Sequence, residues 1–176
     1  MDNTKPYAGA SDQRLTALIN QDNNSALQLG VDFTFGSPQP YSDSTGRNTE
    51  VILTPVPGRP YAPTPEPVHY VRLALTVLDD LPVGWVKPVS IRSVPFSIRG
   101  ILANINAALG LDLIADEVVD ATYSVEADQY PLAVNEAVSL AWIDSDFQFK
   151  AVFGEVPLSS VVTNQELSGL NYVQPA

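Results

Sequence analysis

The sequence predicts an α+β protein: a mainly antiparallel sheet, two short helices and a long proline-rich arm or loop. Three observations carry this. Segments at 26–35, 68–78 and 147–153 alternate or run apolar in the manner of half-buried strands. The stretches after Ser11 and after Ser97 space their apolar residues by three and four, as one face of a helix requires. Eight of the fifteen prolines fall within residues 36–67, and proline both fixes φ and removes a backbone donor. With 176 residues and 45 % apolar content, the chain suits one domain over 1–176 with a single sizeable core.

Ser11 is placed to cap a first helix running to about Asn20, with Leu15, Leu18 and Ile19 on one face and Asp22, Asn23 and Asn24 closing it. In 26–35 (ALQLGVDFTF), Leu27, Leu29, Val31, Phe33 and Phe35 share one side, while Gln28, Gly30, Asp32 and Thr34 share the other. That pattern reads as a strand. Residues 36–67 hold one strand-like piece, 49–54 (TEVILT). The run 59–67 (RPYAPTPEP) reads as an extended arm or surface loop, excluded from the inside of a sheet or helix. Within this segment Tyr41 and Tyr61 are candidate aromatic anchors for a neighbouring subunit, with Arg59 beside them.

Residues 68–78 (VHYVRLALTVL) read as the strongest strand. Val68, Tyr70, Arg72, Ala74, Thr76 and Leu78 share one face; His69, Val71, Leu73, Leu75 and Val77 share the other, which is assigned to the core. Asp79, Asp80 and Pro82 end it, and 83–94 has room for a short strand. Beyond Pro95, Ser97 is placed to cap a second helix to about Leu109, buried along Ile98, Ile101, Leu102, Ile105, Ala108 and Leu109 and closed by Gly110. The signals in 111–127 are mixed. Then 138–144 (VSLAWID) and 147–156 (FQFKAVFGEV) read as two strands of a hairpin, and the polar residues 165–176 as a surface tail.

Charge is distributed unevenly. Residues 1–99 hold nine acids and eight bases, or −1; residues 100–176 hold eleven acids and only Lys150, or −10, giving the net −11. An acidic half with scattered bases argues against a nucleic-acid binder, since each phosphate contact needs Lys or Arg. Without cysteine there is no disulfide or thiolate chemistry. The opening residues lack the basic start and apolar run of a signal peptide, and no window of eighteen apolar residues occurs.

Candidate chemistry is sparse. His69 is the only histidine and no G-x-S-x-G elbow accompanies it. Asp144 and Asp146, like Asp79 and Asp80, suit turns, because no calcium-loop pattern surrounds them. No G-x-G-x-x-G or G-K-[ST] occurs, so nucleotide binding has no support. Asp112, Asp116, Glu117, Asp120, Glu126 and Asp128 form an acidic stretch, either a solvated surface or the counterpart of a basic patch on a partner. If that stretch is helical, Asp116 and Asp120 share a face. No catalytic, cofactor or metal site is expected.

The short amino-terminal helix, 49–61 (TEVILTPVPGRPY), AVSLAWID and FQFKAVFGEV resemble the small structural proteins of tailed bacteriophage virions, especially the large contractile-tailed kind. The resemblance implies a subunit of the neck, tail or baseplate, made in the host cytoplasm, whose arms join copies of itself and other virion proteins. It implies no enzyme activity and no direct contact with nucleic acid or membrane. The residues expected to make contacts are Tyr41, Arg59, Tyr61, Tyr70, Asp116, Glu117 and Asp120. The alternative is a ligand- or carbohydrate-binding β-rich accessory domain, with Trp85 and Trp142 as stacking platforms; a metal-dependent hydrolase comes third.

Overall fold

A computed structural model describes residues 7–154; the expected tail at 165–176 lies outside them. The architecture is α+β, and five of the seven strand pairings among the described residues are antiparallel. Helix α1 spans Ser11–Asn23 and ends on Asn24, whose φ of 49° places it in the left-handed region that asparagine tolerates. It continues three residues beyond the expected stop. Ser11 is its first residue and not its cap; the Ser11 hydroxyl instead accepts the Leu140 N–H. Leu15 and Ile19 are buried, whereas Leu18 faces outward.

Next come β1 (Phe33–Phe35), β2 (Gln39–Pro40), β3 (Thr49–Pro55) and β4 (Glu66–Tyr70). Central β3 pairs antiparallel with β1 and β2 along one edge and with β4 along the other. Only three residues of the strand expected at 26–35 pair in this sheet. Asp32 turns the rest: its carboxylate accepts the Gln28 N–H while its own N–H donates to the Gln28 carbonyl, each over about 3 Å. The segment 36–67 therefore contributes strands as well as loop. Pro67 sits within β4 opposite Ile52, contrary to its expected exclusion from sheets. The reason is that β4 has a neighbour on one side only, and an edge strand tolerates a missing donor.

The long strand expected over 68–78 breaks after Tyr70. A two-residue β5 (Leu73–Ala74) leads into a 3-10 turn, Leu75–Leu78. The expected faces exchange over 70–72, where Tyr70 and Arg72 are buried and Val71 is exposed, whereas Leu75, on the face assigned to the core, is fully buried as expected. Arg72 turns inward because its polar atoms find partners there. Its Nε donates to Thr49 Oγ1 at 2.9 Å, and Nη1 donates to the carbonyls of Glu136 at 2.7 Å and Ser139 at 2.9 Å. Asn48 brackets its backbone, accepting the Arg72 N–H and donating to the Arg72 carbonyl.

Beyond lie β6 (Val89–Ile91), β7 (Phe96–Ser97), a 3-10 turn (Arg99–Ile101) and α2 (Leu102–Leu109). Ser97 Oγ accepts the Gly100 N–H, so the expected cap serves the 3-10 turn that leads into the helix. Gly110 closes α2 with φ 68°. The acidic stretch is largely non-helical: a 3-10 turn at Ala115–Glu117, then β8 (Thr122–Tyr123) and β9 (Gln129–Pro131). The expected closing hairpin does not form. β10 (Trp142–Ile143) pairs parallel with β5, whereas β11 (Gln148–Phe153) lies between β6, parallel, and β9, antiparallel. The expected alternation in β11 holds, with Phe149 buried and Gln148, Lys150 and Val152 exposed.

Two apolar clusters result. The larger is built by α2 with β6, β9 and β11 around Ile105, Leu109, Leu132 and Phe149. The smaller joins Leu15 and Ile19 of α1 to Val51, Tyr70 and Leu140. Arg72, 4 % exposed, lies between the sheet and the 136–142 turn. Arg72→Met is expected to lower unfolding free energy by about 3 kcal/mol, because it leaves buried carbonyls unpaired. Urea denaturation measures this, with exposed Arg47→Met, whose ion pair faces solvent, staying near wild type.

Candidate interaction surface

The four-stranded sheet carries the most exposed irregular segment of the described chain, the proline-rich crossing from β3 to β4. Residues 57–67 are all exposed. Proline at 57, 60, 63 and 65 pre-sets φ and shrinks the ensemble that must be ordered, and Gly58 supplies the one turn here that needs positive φ, at 82°. Arg59 anchors the crossing: its Nη2 and Nε donate to Asp32 Oδ1 at 3.0 and 3.3 Å. The Val56 N–H donates to the Asp32 carbonyl at 2.9 Å. Asp32 thus pegs both the turn before β1 and the loop after β3. The Gln28 N–H, and then Arg59, hold its carboxyl below the usual carboxylate range.

Held in this way, the loop walls an apolar groove of about 260 Å³. Tyr61 and Ala62 line one side; Leu27, Phe33, Leu53 and Pro55 line the other. Phe33 is fixed edge-on against Phe35, with ring centroids 5.1 Å apart. Near the far end of the sheet Tyr41 stacks on His69 at 3.9 Å and 17°. His69 Nε2 lies 2.8 Å from Glu50 Oε2 across the β3–β4 ladder. The single histidine is therefore a cross-strand partner, engaged on its face and at its edge.

The structure sorts the expected contact residues. Tyr41, Arg59 and Tyr61 lie on this sheet and its loop, and Tyr61 is 48 % exposed. Tyr70 does not qualify as a surface anchor: only 7 % exposed, it packs in the smaller core, and burial pushes its hydroxyl pKa up to about 12. Glu117 is likewise interior, at 1 % exposed. One of its oxygens accepts the Ser139 hydroxyl at 2.9 Å and the other the Ile114 N–H at 3.0 Å. Asp116 and Asp120 are exposed but share no helical face, since the chain is extended at Val118. Asp120 also accepts the Arg99 N–H ahead of α2.

The two stacking platforms of the alternative reading differ in burial. Trp142 is core, meeting the Tyr7 ring edge-on at 5.3 Å, and Trp85 is half-buried. Sequence reasoning missed Asp32 and Arg72. Each is a polar residue interrupting an apolar strand pattern, and that interruption was the available signal. Among the described residues no group of three His, Cys, Asp or Glu could hold a metal ion. No described helix is long and apolar enough to cross a membrane.

The site is an apolar slot, an aromatic rim and a guanidinium already bound to its own carboxylate. Fold and surface together define an α+β protein with an apolar groove on one small sheet, beneath a proline-rich loop. The chain belongs to DUF7941, a family of unknown function whose profile matches residues 4–176. No curated protein and no solved structure matches it.

Because the Asp32 carboxyl is held below its ordinary value of 3.8, its charge stabilises the fold above that value. The contribution is lost as pH falls through the lowered one. Asp32→Asn is expected to lower the thermal midpoint at neutral pH, with the gap to wild type closing as pH is stepped down below 3.8. A gap that stays constant into acid would show that the charge contributes nothing.

Proposed function

We propose that this chain is a non-enzymatic assembly subunit that joins neighbouring protein subunits through its proline-rich loop and the apolar groove beneath it. On the texture of its sequence, we place it in the neck, tail or baseplate of a tailed-phage virion. The observation that carries the assembly reading is the exposed run 57–67, held on Asp32 and standing over Leu27, Phe33 and Leu53. A loop already ordered by prolines and an ion pair loses little entropy when a partner binds. The groove offers room for an apolar side chain, and Tyr61 supplies the aromatic contact that dominates such interfaces. The exposed carboxylates of Asp116 and Asp120 steer partner choice and approach more than they add affinity.

Replacing residues 57–64 with a short Gly-Ser linker tests the reading. Light scattering across a concentration series is expected to show wild type growing in mass while the replaced chain stays monomeric. Near-UV circular dichroism would confirm that the core survives. Association unchanged by the replacement would remove the loop from the interface. A wild-type chain monomeric at every concentration would remove self-association altogether.

A further inference from the structure

A cleft of about 400 Å³ lies on a different sheet, between the loop 79–88 and the strands β9 and β11. Its floor is apolar, because Leu78, Phe147 and Phe149 reach it from the larger core. Its rim is polar. The alternation of β11 buries Phe149 and leaves Gln148 and Lys150 exposed on the other face. Gln129 of β9 is the cross-strand partner of Lys150, so their side chains take adjacent places. Asp79 and Lys87 come from the loop. Hydrogen bonds fix that loop at both ends. The Asp79 N–H donates to the Thr76 carbonyl at 3.0 Å, and the Lys87 N–H donates to the Ala108 carbonyl of α2 at 2.8 Å.

The polar groups of this cleft are uncommitted. Elsewhere the cations are engaged: Arg47 and Arg59 sit in ion pairs, Arg72 is bonded to carbonyls, Arg99 donates to the Val118 carbonyl and Arg14 lies against two rings. Only Lys87, Arg92 and Lys150 have no such partner among the described residues, and two of these three line the cleft. Lys150 is the one base among the eleven acids of 100–176, yet no described carboxylate pairs with it. Asp128 lies beyond it, in an adjoining depression. The side chains of Asp79, Gln129 and Gln148 are likewise without a bond among the described residues. Two lysines less one aspartate leave the rim at +1, in a chain whose net charge is −11.

These groups narrow the ligand. Two ammonium groups at the rim match one anionic group. Asp79 excludes a bare anion, because a carboxylate repels it and accepts only from hydroxyl or N–H donors. The amides of Gln129 and Gln148 both donate and accept, as hydroxyls do. A zwitterion satisfies one lysine and Asp79 but leaves the amides and the surplus positive charge unmatched. The volume has room for a pyranose ring above the apolar floor. We propose that this cleft binds a sugar acid, with the carboxylate of a hexuronate on Lys87 and Lys150 and its hydroxyls on Asp79, Gln129 and Gln148. The cleft shares no lining residue with the groove beneath the proline-rich loop. The inference therefore goes beyond the assembly reading and does not depend on it.

Isothermal titration calorimetry on the full chain tests it, with D-glucuronate, D-glucose, acetate and L-leucine as probes. The last three carry the ring without the charge, the charge without the ring, and a zwitterion. Glucuronate is expected to bind about tenfold more tightly than any of them. Lys87→Gln and Lys150→Gln, both at exposed positions, are each expected to weaken glucuronate about tenfold while circular dichroism stays that of wild type. Arg92→Gln removes an unpaired base that does not line the cleft, and is expected to bind glucuronate as wild type does. The proposal is overturned by the absence of saturable glucuronate binding, or by equal or tighter binding of glucose, acetate or leucine. Lysine variants that bind as wild type, or an Arg92→Gln loss as large as theirs, overturn it as well. None of these readouts depends on self-association, so failure here leaves the assembly reading standing, and failure of that reading leaves this one.

Discussion

A single buried guanidinium organises the junction on which the rest of the fold depends. Arg72 is nearly inaccessible, yet its partners are a threonine hydroxyl and backbone carbonyls of the 136–142 turn. Its desolvation is offset by neutral dipoles that are themselves immobile, an arrangement that works only with close to full satisfaction. The network extends further. Ser139 accepts Arg72 at its carbonyl and donates its hydroxyl to Glu117, which closes the 3-10 turn after Ile114. Two buried ionisable side chains of opposite sign are thus linked through one small residue and do not touch.

That network explains how two modest apolar clusters act as one body. The sheet carries Thr49 and Tyr70, and the 136–142 turn carries Leu140 into the α1 cluster. Immediately after it, Trp142 enters the larger core and meets the side chains of Tyr7 and Arg14. The turn is therefore read from three sides at once: by a cation, by a helix and by an aromatic edge. Bare hydrophobic packing would tolerate several settings of such a turn, whereas directional hydrogen bonds select one.

What the sequence reveals divides along the same line. α2, its Gly110 stop and the alternation in β11 are local periodicities, and they are visible because burial follows them. The β3 strand is visible for the same reason. The stretch 26–35 misleads because the Asp32 carboxylate bends the backbone with a bond to Gln28, and the alternation count is blind to that. The stretch 68–78 misleads over 70–72 because Arg72 finds carbonyl acceptors 64 and 67 residues away and turns inward, while Leu75 stays buried as the pattern requires. Tyr70 and Glu117 look like surface residues by type, and only tertiary partners make them interior. Of the candidate interaction surface, Tyr41, Arg59 and Tyr61 are legible from the proline-rich setting. The peg that holds the loop is not, because an aspartate in an apolar strand reads as a solvent-facing residue until its arginine is located.

The parallel pairings have a bearing on how the chain is made. The small sheet β1 to β4 has all its strands once residue 70 has been synthesised. β5 and β6 then wait, because Leu73 pairs with Trp142 and Val89 with Ala151. Through that interval the nascent polypeptide presents unpaired edges and an incomplete apolar centre to its surroundings, the condition under which chains cross-pair or need chaperones. The segment 142–153 thus acts as a latch that finishes two open edges at once, and a ribosome stalled before it would hold a half-built molecule.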